Sequence, residues 1–213
     1  MNFACLVVCP GRTFLRCLID LIKDIANPSF YICLNREARA DLAAWTIFID
    51  SFNGKSVFLS DHWLSSDHYS LCTDASGSVG YAAVFGRWWF AQKWPKDLEQ
   101  HQIAVKEFVP ITLTLEIWGH CMENHKVLFL SDNQAIVEVI NKKSYKYPIL
   151  MSLVRRIVVA ALHFNILFRA KHIPGKTNVV ANHLSRFQFQ KANLVAPWLS
   201  DHQTVVPLNL LHI

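Results

Sequence analysis

"HYSLCTDASGSVGYAAVFGRWWFAQKW", residues 68–94, decides how the chain folds. It holds three apolar and aromatic runs joined by very short, glycine-bearing connections. The first run, "HYSLCTDAS", stops at an acid, Asp74. "GYAAVFG" and "WWFAQKW" follow at once. This spacing predicts an antiparallel meander of three strands.

Downstream the period changes. "QIAVKEFVPITLTLEIWGHCME" (102–123) reads as a long helix with Ile111, Leu115, Trp118 and Met122 at buried spacing. Pro110 either falls near its first turn, if the helix starts near Val105, or kinks it. "KVLFLSD" (126–132) is a short apolar run ending in Asp132, expected as a buried strand. "NQAIVEVINK" suits a short helix, and "PILMSLVRRIVVAALHF" a longer one with Pro148 near its start. "NILFRAKHI" is a strand, Pro174-Gly175 a turn, and "NVVANHLSRF" a last helix capped by Asn178. The order β-β-β-α-β-α-α-β-α implies an α/β fold, a mixed sheet covered by helices.

Upstream, two amphipathic helices are expected. One follows the Pro10-Gly11 turn, capped by Thr13, with Phe14, Leu18, Leu21, Ile22 and Ile25 on one face. The other starts at Asn35 and buries Leu42, Trp45, Ile49 and Phe52, ending at Asn53-Gly54. The expected organisation is a helical connection segment at 1–65, an α/β domain at 66–190 and a C-terminal tail at 191–213.

Of the 213 residues, 52% are hydrophobic and 17% charged, a globular composition with enough length for a core. The net charge is +5, but its distribution says more. From Val139 to Ser200 there is no Asp or Glu, while Lys142, Lys143, Lys146, Arg155, Arg156, Arg169, Lys171, Lys176, Arg186 and Lys191 all fall there. Such asymmetry suggests a nucleic-acid footprint, the alternative being a solvated basic face. The six cysteines (5, 9, 17, 33, 72 and 121) form no CxxC pair and read as reduced core residues of an intracellular protein. "FACLVVC" (3–9) does not read as a signal peptide, and no run approaches a membrane span.

Three acids stand out by position: Asp74 and Asp132 at strand ends, and Glu107 in the long helix. Neighbouring strand ends at a switch in strand order gather functional side chains. Crowded carboxylates repel and raise each other's pKa, and hard divalent cations relieve this. Taken singly, Asp74 could be a turn residue and Asp132 a helix N-cap.

"TDAS", "KEFVPITLTLEIWG", "LFLSDNQAIVEVINK" and "KHIPGKTNVVANHLSR" resemble, in order and spacing, the RNase H domain of reverse-transcribing retroelements of gypsy and DIRS type. "PGRTFLRCLIDL" and "LNREARADLAAWTIFIDSFNG" resemble the segment joining reverse transcriptase to RNase H in DIRS-type elements. The resemblance covers roughly residues 8 to 190. It implies an RNase H-like five-stranded mixed sheet and cleavage of the RNA strand of an RNA–DNA hybrid. It also implies two Mg²⁺ ions, with Mn²⁺ able to replace them. Asp74 would bridge both ions, with Glu107 and Asp132 holding them. The fourth acid of the family falls where this chain has Asn182. An amide oxygen brings no charge, so cleavage is expected to be weakened or lost, with partial rescue by Mn²⁺.

The resemblance also assigns Gln134 a substrate contact, the alternative being a surface glutamine. Arg155, Arg156 and Lys176 are further candidates for substrate phosphates, though the arginines could simply end a helix face. His172 reads as a strand residue and His183 has no assigned role. One of Trp88 and Trp89 is expected in the core, with base stacking by the other only a minor alternative. No polymerase palm motif occurs, so the chain is expected not to polymerise DNA and to be a polyprotein fragment or a genomic remnant. The rest of a reverse transcriptase is an expected partner. Two alternatives stand beside the ribonuclease: a non-catalytic nucleic-acid-binding remnant, and another nuclease or transposase on the same fold.

Overall fold

The computed structural model describes residues 9–23, 25–27, 29–51, 62–96, 98–143, 147–174 and 178–210. The chain divides into two compact units, residues 1–58 and 59–213. The second unit begins before residue 66 because a short strand at 63–65 belongs to its sheet.

In the first unit a 3-10 turn, Cys9–Phe14, precedes helices α1 (Arg16–Ile22) and α2 (Arg36–Ser51). Thr13 lies in the 3-10 turn and does not cap α1. Asn35 does open α2, accepting the Ala38 N–H at 2.8 Å. The buried face of α2 is Ala38, Asp41, Trp45 and Phe48, while Ile49 is exposed and Phe52 lies outside the described residues. Phe14 sets that face: its ring meets Phe48 edge-on at 4.9 Å and its carbonyl takes the Trp45 indole N–H.

In the second unit the meander forms as expected, from β2 (Leu71–Ala75), β3 (Gly80–Phe85) and β4 (Trp88–Lys93), with β1 (Trp63–Ser65) before it. Gly86, at φ +59°, makes the β3–β4 turn. Helix α3 (Ile103–Trp118) then leads to β5 (Lys126–Ser131), α4 (Gln134–Lys142), α5 (Pro148–His163) and β6 (Leu167–His172). Helices α6 (Val179–Ser185) and α7 (Phe189–Val195) follow. Pro110 falls in the interior of α3, not near its start, and leaves the Lys106 carbonyl without its helical donor.

The five-stranded sheet is not formed. Among the described residues six strands make two three-stranded sheets, β1-β5-β6 and β2-β3-β4. The cause is local. Residues 66–70 turn, with Ser70 at φ +47°, and this splits what would be one long strand into β1 and β2. Ser66 sits at the break. Its N–H donates to Leu128 O at 2.8 Å, and its hydroxyl oxygen accepts the Leu130 N–H at 3.1 Å. A side chain thus takes the last ladder position on β5, and β2 pairs only with β3.

Every residue of β3 is buried, so both faces of the meander are covered. On one face Trp118 of α3 stacks on Phe85 and Phe90. On the other, Ala82, Val84 and Ala91 pack with Leu184, Ala192, Ala196 and Leu199. Helix α3 also packs on α5, whose Leu150, Leu153, Ile157 and Val158 are buried.

The segment expected as a tail is built into the fold. Ser200 N–H donates to Arg87 O, Thr204 N–H to Trp89 O, and the Trp89 indole to Ser200 O. These bonds cover the outer edge of β4, which would otherwise present unpaired groups. Trp89 is the inward tryptophan and Trp88 the exposed one. The cysteines depart from expectation too: Cys33 is exposed, and Cys17, Cys72 and Cys121 are only partly buried. Among the described residues no helix is long and apolar enough to cross a membrane.

Candidate active site

Asp74 lies one residue from the end of β2, paired in register with Ala82. Glu107 projects from the first half of α3, which packs on β2. Asp132 follows β5 directly and is exposed. Although β2 and β5 are not paired neighbours, the three carboxylates lie within one another's electrostatic reach. Burial pushes the Asp74 carboxyl up, the Ser185 hydroxyl and Arg186 pull it down, and Asp132 raises it. Burial also pushes Glu107 up, the Asn133 amide lowers it, and Asp132 and Asp74 raise it.

Each of the two half-buried acids is turned onto a protein partner. The Ser185 hydroxyl donates to Asp74 Oδ2 at 2.5 Å, and Arg186 Nη1 lies 3.6 Å from the same oxygen. The Asn133 amide donates to Glu107 Oε2 at 2.7 Å. Asn133, not Asp132, caps α4, its Oδ1 accepting the N–H groups of Ala135 and Ile136. This removes the capping explanation for Asp132.

Asn182 sits in the middle of α6, which packs across β2 and β3 beside Asp74. Its backbone carbonyl accepts from Ser185 and from Arg186 Nη1 at 2.9 Å. Asn178 opens α6 without capping it. Its amide instead donates to Thr73 O at 2.6 Å, tying the helix to the strand residue before Asp74.

A buried cation lies under the site. Lys106 is 4% exposed, and its ammonium donates to Gly77 O and to Glu99 O over the Trp94 ring. The Trp94 indole donates to Ser76 O. Together they pin the turn that follows Asp74 to the start of the helix that carries Glu107.

The remaining sequence candidates are scattered. Gln134 is exposed in the first turn of α4, two residues from Asp132. Arg156 points away from the acids, forking onto Glu116 at 2.8 and 2.6 Å and reaching Leu210 O. Arg155 precedes it on α5, and Lys176 lies outside the described residues. His172 is the last residue of β6, and its Nε2 approaches the Asp132 carbonyl at 3.0 Å. His183 contacts Gln188. Ser185, Arg186, Asn133 and Lys106 were not singled out from sequence. The signal for the first two was present: they follow Asn182 by three and four residues, one helical turn.

The donor set suits a hard divalent cation, being oxygen throughout. The arrangement is open, however. Among the described residues no group of three or more His, Cys, Asp or Glu side chains is placed to hold a metal ion. Arg186, a cation 3.6 Å from Asp74 Oδ2, opposes a divalent ion at that oxygen.

No family model matches the chain, and no curated protein matches it. Among solved structures, the N-terminal RNase H domain of a Mycobacterium tuberculosis protein, fused to maltose-binding protein, is similar at 18% identity with a TM-score of 0.41. The alignment covers 59% of this chain and 94% of that one. A likeness at that score does not by itself establish a shared fold.

Proposed function

We propose that residues 59–213 form an RNase H-like domain that cleaves the RNA strand of RNA–DNA hybrids, slowly, with a divalent cation. One observation carries this reading. Asp74, Glu107 and Asp132 come from β2, α3 and the β5–α4 junction, yet Glu107 feels the charge of both other acids and Asp74 that of Asp132. A stable fold has no need to gather like charges, and such sites are where function is sought. The four sequence stretches that resemble retroelement RNase H domains supply the reaction class and the retroelement origin.

A bound Mg²⁺ or Mn²⁺ would supply Lewis-acid charge to a scissile phosphate. Asp74, Glu107 and Asp132 would hold it only after drawing closer together than they stand here, with the Asn182 amide oxygen as a neutral fourth ligand. The chain's own groups do the rest. Asn133 orients Glu107, and Ser185 orients Asp74. Lys106 and Trp94 fix the turn beyond Asp74. Strand β6 buries Phe168 and Ala170 and exposes Arg169 and Lys171, so its outward face is basic. With Gln134, Arg155 and Lys176 it offers groups for a hybrid backbone, read by shape and 2′-hydroxyl. The reading includes the remainder of a reverse transcriptase as partner.

A second reading, a binding domain without turnover, is favoured by Asn182 and by the Arg186 contact on Asp74. A labelled RNA–DNA hybrid, duplex DNA and duplex RNA tested in Mg²⁺ and in Mn²⁺ separate the two. The nuclease reading expects cleavage of the hybrid alone, faster in Mn²⁺, and none with Asp74→Asn. Tight, salt-sensitive hybrid binding with no cleavage in either ion selects the second.

A further inference from the structure

Arg186 reaches Asp74 from the helix that carries Asn182. Its Nη1 lies 3.6 Å from Asp74 Oδ2 and also donates to the Asn182 carbonyl at 2.9 Å. The same Oδ2 accepts the Ser185 hydroxyl. One oxygen of the central carboxylate is therefore engaged by a hydrogen-bond donor and faced by a cation, both from the C-terminal end of α6. A guanidinium keeps its charge at any working pH. A divalent ion arriving at Asp74 meets that charge at close range.

We propose that Arg186 is an internal counter-ion of Asp74 that a divalent cation must displace, and that the amide at 182 is what leaves Arg186 in this position. The inference rests on the cation-dependent reading above. A carboxylate at 182 would stand four residues before Arg186, the spacing at which opposite charges pair along a helix. It would draw the guanidinium onto the helix's own surface. The neutral Asn182 side chain exerts no such pull, and its backbone carbonyl holds the guanidinium beside Asp74. Displacement needs no unfolding, since the Arg186 and Asp74 side chains keep 39% and 20% of their surface exposed. The contact acts as a tunable block, not a permanent one.

The test is Mn²⁺ titration of the full chain, followed by electron paramagnetic resonance, in four forms: native, Arg186→Gln, Asn182→Asp and the double variant. Circular dichroism checks that each is folded. Arg186→Gln is expected to tighten Mn²⁺ binding about fivefold, the upper range for a solvent-screened ion pair. In the Asn182→Asp background the same change is expected to alter binding by less than about twofold, a coupling between the two sites. An unchanged or weaker affinity in Arg186→Gln overturns the proposal, as does an equal effect in both backgrounds. Absence of Mn²⁺ binding in all four forms overturns both this inference and the cation-dependent reading. Binding of equal strength in all four overturns the inference alone.

Discussion

At Asp74 and Glu107, burial and hydrogen bonding act in opposite directions, and burial dominates. The sign has a consequence for stability. A carboxyl whose pKa is higher in the folded chain than in the unfolded one binds protons more readily when folded. Stability then rises as pH falls through the raised pKa, and the gain is complete below the unfolded value of about 4. Glu107→Gln removes the buried charge and keeps an oxygen for the Asn133 amide to donate to. In the absence of divalent ions it is expected to melt above the native chain at pH 7. The gap should narrow as pH falls toward 4. Thermal melts across that range check it, and a variant less stable than native at pH 7 would oppose it. The same residues show what was legible beforehand. Asp74, Glu107 and Asp132 were readable because each ends or interrupts an apolar run. The partners of Asn133, Ser185 and Arg186 lie 26 to 112 residues away in the chain, so their contacts with the acids are not legible from sequence, although Ser185 and Arg186 follow Asn182 by one helical turn.

Elements were read more surely than their joins. The meander, the α3 helix and the alternation of β5, α4, α5 and β6 follow from hydrophobic period, which burial enforces. The break between β1 and β2 does not, since it depends on Ser66 meeting β5 across 64 residues. The C-terminal segment read as a tail because it buries single residues, Ala192, Ala196, Leu199 and Val206, without a period over its whole length. Lys106 gives the clearest test at this scale. It read as one more charge on a helix, yet it holds two loop carbonyls from beneath the site. Lys106→Met keeps the bulk and leaves Gly77 O and Glu99 O without their donor. The expected cost is about 1–3 kcal/mol, or a Tm lower by a few degrees. An unchanged melt would mean that water replaces the ammonium fully, and that the turn beyond Asp74 is not held by it.

Across the whole molecule the charge is unevenly placed. Within residues 59–213 the stretch 139–200 holds no Asp or Glu. The outward face of β6 carries Arg169 and Lys171. Binding to a hybrid should weaken steeply with salt, because released counterions dominate such affinities. Replacing Arg169 and Lys171 together by Gln is expected to lower the log–log salt slope by about 2. Affinity measured at four salt concentrations tests this, and an unchanged slope would place the nucleic acid elsewhere.

Asn182 is where the account is most exposed, and the decisive measurement is hybrid cleavage by Asn182→Asp beside the native chain in Mg²⁺. A restored carboxylate adds charge at the cation side of Asp74 and draws Arg186 away. The account predicts cleavage by Asn182→Asp at least about tenfold faster than native, a barrier lower by about 1.4 kcal/mol, and abolished by adding Asp74→Asn. No cleavage by Asn182→Asp in either Mg²⁺ or Mn²⁺ would contradict it, leaving a carboxylate cluster that gathers charge without using it.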